Sequence, residues 1–175
     1  MARFGKVLMA GALLFAVLQP EPAFAKKPKS TPEERATAVR LGRELEADPL
    51  VADGPEKRFW LIEFYSRVPD IVLTVCGTLL GPFPPEEHPF FPMVLTQLMF
   101  SSGTFVIEHP DKAKDEMAVQ MAGMLGALKV YEIGVKSDPE HRLPFLDDLV
   151  KRRDAGTLDA YMAESVPEAC KPDKQ

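Results

Sequence analysis

Prolines divide this sequence into short segments and so limit where any helix or strand can run. The chain has 17 prolines in 175 residues, and five of them lie between Gly81 and Pro92. Proline fixes φ and has no backbone N–H, so it fits the first turn of a helix but interrupts regular structure elsewhere. We therefore predict helices that begin beside prolines and a stretch without regular structure at 81–92.

Two helices are predicted before residue 69. Thr31, followed by Pro32 and Glu34, has the pattern of a capping box at a helix start, and residues 48–49 (Asp-Pro) end that helix. Residues 53–56 begin the second helix. Its large apolar residues are Phe59, Trp60, Leu61, Ile62, Phe64, Tyr65 and Val68. Such a helix is expected to be buried on more than one side, with Trp60 as a core anchor.

Residues 70–80 fit two kinds of secondary structure. Ile71, Val72, Thr74 and Val75 favour a strand. Asp70, directly after Pro69, favours the start of a helix. A strand needs a partner, and no other segment of the chain has a convincing strand pattern. We therefore predict a helix at 70–80.

The middle of the chain predicts two long apolar helices. Residues 93–107 form the first, and the small residues at 101–104 indicate a bend or a close contact with another helix. The second runs from Pro110 to about Lys136. One stripe along it contains Met117, Met121, Met124, Leu128, Tyr131 and Val135, and small residues, among them Gly123 and Gly126, provide a side that another helix can approach closely.

The remaining segments complete an all-α fold. A helix is predicted from Asp138-Pro139 through Val150 with a bend near Pro144, and a last short helix from Leu158 to Val166. The whole predicts a compact bundle of six or seven helices with proline-marked turns and one disulfide. We assign residues 31–170 to a single helical domain, between a flexible leader at 26–30 and a flexible tail at 171–175.

The first 25 residues have the three parts of a cleavable signal peptide. Arg3 and Lys6 precede an apolar stretch of 12 residues, and small side chains at Ala23 and Ala25 suit a signal peptidase. Twelve residues are too few to span a bilayer. We expect an exported, periplasmic or secreted protein with no transmembrane anchor after cleavage. The mature chain would carry a net charge of −6, which argues against nucleic-acid binding.

The sequence has two cysteines, Cys76 and Cys170. An exported protein meets an oxidising compartment, so pairing of the two thiols is the simplest prediction. The alternative, separate or metal-binding thiols, lacks the closely spaced ligand pair of most zinc sites. Phosphate-binding glycine loops and a haem-attachment motif are also absent from the sequence, and no cofactor is expected.

Two groups of side chains are candidates for a binding surface. The proline-rich stretch contains Phe83, Phe90 and Phe91, which form either an aromatic recognition loop or plugs of the core. Met117, Met121 and Met124 form either an adaptable groove or ordinary core, because methionine packs against varied partners.

Catalytic motifs are missing from the sequence. Ser101 and Ser102 lack the nucleophile-elbow pattern and are expected to pack between helices. The three histidines, His88, His109 and His141, lie near acids at predicted helix ends or loops. They are metal-ligand candidates only if the fold brings them together, because no two share a helix face.

The sequence therefore predicts a non-enzymatic exported protein that binds another protein or an apolar ligand of the cell envelope. The alternative is a metal-binding protein or metal-dependent enzyme that uses His88, His109 and His141. The two readings differ in one structural respect: the second requires the three imidazoles to converge on one site.

Overall fold

The computed structural model describes residues 27–82 and 88–171. In these ranges it contains no strand and six α-helices, which confirms the predicted all-α bundle. The helices are α1 (Pro32–Ala47), α2 (Gly54–Arg67), α3 (Phe91–Glu108), α4 (Glu116–Ser137), α5 (Pro144–Asp154) and α6 (Leu158–Ala169). Short 3₁₀ helices lie at Gly77–Leu80, Pro110–Lys112 and Pro139–His141. The predicted signal peptide (1–25) and residues 172–175 of the predicted tail lie outside the described residues.

Local hydrogen bonds determine where the helices begin. The predicted capping box is present at α1, because Thr31 Oγ1 accepts from the Glu34 N–H and Glu34 Oε2 accepts from the Thr31 N–H. The predicted start of α4 at Pro110 was wrong. Asp115 caps α4 instead, with its carboxylate accepting from the Ala118 N–H, and residues 110–112 form a separate 3₁₀ turn.

The start of the next helix was also misplaced. Asp138 accepts from the Glu140 N–H and supports a 3₁₀ turn at Pro139–His141, and α5 begins only at Pro144. Pro144 therefore starts a helix rather than bending one, because its missing N–H costs nothing in the first turn. The last helix, α6, continues three residues beyond the predicted end, to Ala169.

Helices α3 and α4 pack closely through small residues. The small residues at 101–104 indicated either a bend or a close contact with another helix, and the close contact is present. A Cβ on Gly126 would overlap Ser101 Oγ and lie 2.6 Å from Ser101 Cβ, and one on Gly123 would lie 2.7 Å from the Leu98 carbonyl oxygen. Ser102 Oγ donates to the Val119 carbonyl at 3.1 Å. The two backbones are thus close enough for a side-chain hydroxyl of one helix to bond the main chain of the other.

Two clusters of buried apolar side chains form the core. An N-terminal cluster joins α1 and α2 to one part of the α3–α4 pair, and a C-terminal cluster joins α5, α6 and residues 76–80 to the other part. The N-terminal cluster contains Ala38, Leu41, Leu45, Leu61, Phe64, Val68, Ile71, Phe100, Val106 and Val119. The α3–α4 pair therefore contributes to both clusters.

The prediction that α2 is buried on more than one side was wrong. Leu61 and Phe64 are buried, but Phe59 is 64% exposed and Ile62 is 41% exposed. Trp60 is half-buried and stacks on Phe64 with ring centroids 5.3 Å apart. The outer face of α2 has no helix of the described chain against it, which leaves large apolar side chains in contact with solvent.

The predicted helix at 70–80 was also wrong. Residues 72–76 have no turn or bend, and only Gly77–Leu80 forms a 3₁₀ helix. Asp70, which was expected to start the helix, instead accepts from the N–H and hydroxyl of Ser30 and from Arg35. β-Branched residues also lose side-chain freedom in a helix. We call residues 72–75 the linear segment.

The predicted disulfide is present. Cys76 and Cys170 are bonded with their Cα atoms 5.2 Å apart, and the bond ties the end of the linear segment to the end of α6. In the part of the chain that the structure describes, no helix is both long and apolar enough to cross a membrane.

Acid is expected to weaken the protein through Asp70. The Ser30 N–H, followed by the Ser30 hydroxyl and Arg35, holds the pKa of Asp70 far below its ordinary value. A carboxyl group with a lowered folded-state pKa stabilises the fold above about pH 4, its unfolded pKa, and this contribution is lost as the pH falls further. Asp70→Asn should lower the free energy of unfolding by about 1.5 kcal/mol at pH 7.

Urea denaturation of wild type and Asp70→Asn at pH 7 and pH 3 measures this effect. The difference in the free energy of unfolding between the two proteins should be smaller at pH 3, because part of the stabilisation by the ionised Asp70 carboxylate is lost there. Asp159→Asn, an exposed acid on α6, is the control and should change stability little. An equal difference in the free energy of unfolding at both pH values would show that the charge of Asp70 does not stabilise the fold.

Candidate functional site

The predicted binding surface is not assembled as a surface. Phe90 and Phe91 are 7% and 6% exposed, and Met124 is fully buried, so these side chains belong to the core. Phe90 packs over Gly134 of α4, where a Cβ would lie 2.8 Å from the Phe90 ring. The half-buried methionines of the set, Met117 and Met121, pack against the C-terminal cluster, and Phe83 lies outside the described residues.

The fold brings together two of the three histidines. The His88 and His141 rings are 5.7 Å apart, and His88 accepts the N–H groups of Phe90 and Phe91 at Nδ1. This leaves His88 Nε2 as the protonated nitrogen, which donates to the His141 carbonyl at 3.1 Å. Both ring nitrogens of His88 are therefore engaged in bonds that hold the chain at the start of α3.

His109 lies far from the other two. It is the residue after α3, and its ring packs against Phe105 with centroids 4.7 Å apart. His88 lies before the start of the same 18-residue helix, so about 27 Å of helix separates the two positions. One metal ion cannot bind all three histidines, and nowhere in 27–82 or 88–171 do three potential ligand residues cluster around a metal position.

The serines of α3 are used in helix packing. Ser101 Oγ donates to Glu46 Oε2 at 3.1 Å and accepts from Gln97 Nε2 at 3.0 Å. Lys129 pairs with the other oxygen of Glu46 at 3.3 Å. This chain of polar groups connects α1, α3 and α4. Among the described residues, no histidine is hydrogen-bonded to the Ser101 hydroxyl, so none is in position to act as its general base.

An open groove lies between the linear segment and the start of α4. Its volume is about 420 Å³, within the range of ligand sites in proteins. The lining residues are Val72, Thr74, Ala113, Lys114, Glu116, Val119 and Gln120. We call this feature the α4 groove.

The linear segment presents an unpaired main chain at one side of the groove. Ile71 is buried, Val72 is 79% exposed, Leu73 is half-buried, and Thr74 and Val75 are both exposed. Among residues 27–82 and 88–171, its N–H and C=O groups make a single hydrogen bond, from Gln120 Nε2 to the Thr74 carbonyl at 2.8 Å. Most backbone donors and acceptors of the segment are therefore unused within the described chain.

Gln120, whose Nε2 donates to the Thr74 carbonyl, adds a buried acceptor without a partner beside the linear segment. Its side chain is 1% exposed, and Oε1 has no hydrogen-bond partner among the described residues. Exchanging the amide oxygen and nitrogen would point an oxygen at the Thr74 carbonyl, so the bond to Thr74 fixes the orientation. An unsatisfied buried acceptor costs about 1 to 3 kcal/mol, which a donor from a ligand would recover only where binding uncovered that oxygen.

Two exposed charges flank the groove at its α4 side. Lys114 precedes α4, and Glu116 is the first residue of that helix. Within the part of the chain that the structure describes, neither residue forms an ion pair or a side-chain hydrogen bond. Both charges are therefore available to groups of opposite sign on a bound molecule.

Known proteins give no guide to what this groove binds. No family model, curated protein or solved structure matches the chain. The function is therefore inferred from the groove's own geometry and charges.

The sequence contained two signals for the groove that were not interpreted as a site. The β-branched residues at 71, 72, 74 and 75 favoured a strand, but the lack of a partner strand led to a helix assignment. Gln120 stands alone among apolar and small residues from Met117 to Leu128, where a polar amide has to find a partner once it is buried. Together they mark an unpaired stretch of main chain beside a buried acceptor.

Proposed function

We propose that this is a non-enzymatic protein of an oxidising compartment outside the cytoplasm, and that it binds a segment of another polypeptide in the α4 groove. The observation that carries the proposal is the largely unpaired main chain of the linear segment beside the unsatisfied oxygen of Gln120. Polypeptide backbone offers donors and acceptors to both sides of such a groove.

The disulfide and the N-terminal pattern support the compartment. A bond between Cys76 and Cys170 persists where thiols are oxidised, and such bonds are rare in the cytosol. The charged, apolar and small-residue parts of 1–25 follow the order of a secretion signal.

The polarity of the groove favours a polypeptide over a wholly apolar ligand. Val72 and Val119 give it apolar surface, but Lys114, Glu116 and Gln120 add two charges and an amide. An apolar molecule would leave the Gln120 oxygen unsatisfied, and this costs free energy in a buried site. A peptide can satisfy that oxygen with a backbone N–H while its side chains cover the valines.

Site-specific photo-crosslinking tests the proposal. A photoreactive residue at Val72 should crosslink one defined polypeptide in an extract of the host's envelope, and the same residue at Leu125, which is 43% exposed on α4, should not. The crosslinked protein is then purified, and its affinity for each variant is measured by titration calorimetry.

Exposed apolar positions provide matched variants. Val72→Lys should lower the affinity for the purified partner about tenfold or more, a loss of about 1.4 kcal/mol, while Leu125→Lys should leave it unchanged. Phe59→Lys tests the exposed face of α2 in the same way. If Phe59→Lys abolished binding and Val72→Lys did not, the binding site would lie on α2 and not in the α4 groove. That result would refute the proposal.

A further inference from the structure

We infer that the outer face of α2 is a dimerisation surface, on which α2 of a second copy of this chain packs antiparallel across a two-fold axis. The inference goes beyond peptide binding in the α4 groove and does not depend on it, because the two surfaces share no residue. Two features of α2 point to a second copy: a hollow that can receive Phe59, and charges of opposite sign at the two ends of the helix.

Exposed apolar side chains lie on the outer face of α2. Phe59 and Ile62 are 64% and 41% exposed, and Ser66 is also exposed. These residues are three and four positions apart, so they share one face of the helix. Covering the two apolar side chains with another protein surface would remove them from water and favour association.

The same face contains an open hollow next to Ile62. Its volume is about 430 Å³, and its lining residues are Lys27, Ile62, Glu63, Ser66 and Arg67. We call it the α2 hollow. Four helical residues from successive turns form the kind of hole that receives a side chain of a facing helix. Side chains of a helix lean toward its N-terminus, so Phe59 leans away from the hollow of its own molecule. The Phe59 side chain of a second copy can enter it.

Insertion of Phe59 into the α2 hollow fixes the register of an antiparallel pair. Phe59 then faces the centre of the hollow, between residues 64 and 65 of the second copy. Glu56 lies three residues earlier, so it faces a position three residues later on the second copy, at Arg67. The two-fold axis repeats both contacts, because each surface patch meets the same patch of the other molecule.

The charges at the ends of α2 are complementary in this register. Glu56 is exposed and forms no ion pair within the described chain. At the other end, Arg67 pairs with Glu34 at 2.6 Å, and Lys27 donates to the Ser66 carbonyl at 3.4 Å without an ion pair among the described residues. Two cations and one anion leave that end positive, so it attracts Glu56 of the second copy. A parallel copy would instead place like charges together.

Glu63 opposes the same arrangement. It is exposed and has no ion-pair partner in the part of the chain that the structure describes. In the proposed register the two copies of Glu63 lie about 4 Å apart along the helix axis, and their carboxylates repel each other. We therefore expect a weak dimer with a Kd of about 10 to 100 µM, as is usual for small interfaces.

Sedimentation velocity of the mature protein from about 5 to 500 µM measures the dimer Kd. Phe59→Lys should raise the Kd at least about tenfold, whereas Leu125→Lys, at an exposed apolar position of α4, should stay within about twofold of wild type. Glu63→Gln should lower the Kd about threefold or more, because it removes the repulsion. Circular dichroism verifies that each variant is folded.

Three results of this experiment would overturn the inference. The first is a wild-type protein that stays monomeric at about 500 µM. The second is a dimer that Phe59→Lys leaves intact. The third is a dimer that Val72→Lys dissociates and Phe59→Lys does not, because the second copy would then occupy the α4 groove.

Charge reversal tests the antiparallel register. Glu56→Arg and Arg67→Glu should each weaken self-association, since each variant places like charges at both ends of the interface. An equimolar mixture of the two variants should form heterodimers at least about tenfold tighter than either homodimer, because opposite charges meet again at both ends. Loss of the exposed Arg67–Glu34 pair should affect stability little. A mixture that associates no more tightly than the separate variants would refute the antiparallel pairing of Glu56 with Arg67.

Discussion

Replacing both cysteines by alanine is expected to lower the free energy of unfolding by about 4 to 5 kcal/mol. The bond joins residues 94 positions apart, and closing a loop of this size removes much of the conformational freedom of the unfolded chain. The double replacement Cys76→Ala with Cys170→Ala avoids a buried hydroxyl at position 76, where the side chain is 3% exposed. Urea denaturation at pH 7 measures the change.

Wild type in the presence of reductant is the matched control. It should lose about the same free energy as the double variant, because both lack the covalent link and differ only in two sulfur atoms. A loss smaller than about 1 kcal/mol in both would contradict the prediction and would indicate that the unfolded chain keeps the two positions close without the bond.

Gly126→Ala is expected to destabilise the protein by about 3 kcal/mol. Alanine is the better helix former by about 1 kcal/mol, so in an open helix this change would be stabilising. In α4 the added Cβ would overlap Ser101 Oγ and approach Ser101 Cβ, and the helices would have to move apart. Thermal and urea denaturation of the variant give the change in the free energy of unfolding.

A second substitution separates the steric effect from a general loss of fold. Ser101→Gly removes both clashing atoms, so the double variant with Gly126→Ala should be more stable than the two separate losses predict. Leu125→Ala, at an exposed neighbouring position on the same helix, should change stability by less than about 1 kcal/mol. Strict additivity of the two substitutions would show that residues 101 and 126 do not limit the approach of the helices.

Local sequence patterns predicted the parts of the fold that depend on neighbouring residues. The capping box at Thr31 and Glu34 needs only residues three positions apart, and it is present. The small residues of α3 and α4 indicated a close contact because only short side chains permit one. Cys76 and Cys170 paired because the sequence offers no other cysteine.

The predictions failed where a side chain contacts residues that are distant in the sequence and not its neighbours. Asp70 was expected to begin a helix, but its carboxylate is bonded to Ser30 and Arg35, some 35 to 40 positions away. Phe90 fitted either a recognition loop or a plug of the core, and only its packing over Gly134 of α4 shows that it is a plug. Neither contact has a signature in the residues around it.

The candidate site escaped prediction for the same reason. Thr74 and Gln120 are 46 positions apart, and only the fold places the amide of one beside the carbonyl of the other. Periodicity correctly assigned Gln120 to a long helix. It does not report whether a buried amide has found all of its partners.

Because α3 and α4 contribute to both core clusters, residues 31–170 are expected to unfold as a single cooperative unit. Helix α3 places Leu98 in the C-terminal cluster and Phe100 in the N-terminal one, and α4 likewise divides Met124 and Val119 between them. If the packing of one cluster is lost, α3 and α4 lose contacts that also hold them in place for the other cluster. The slowest-exchanging amides of α3 and α4 should therefore exchange at one common rate, through complete unfolding, and partial proteolysis should yield no stable half.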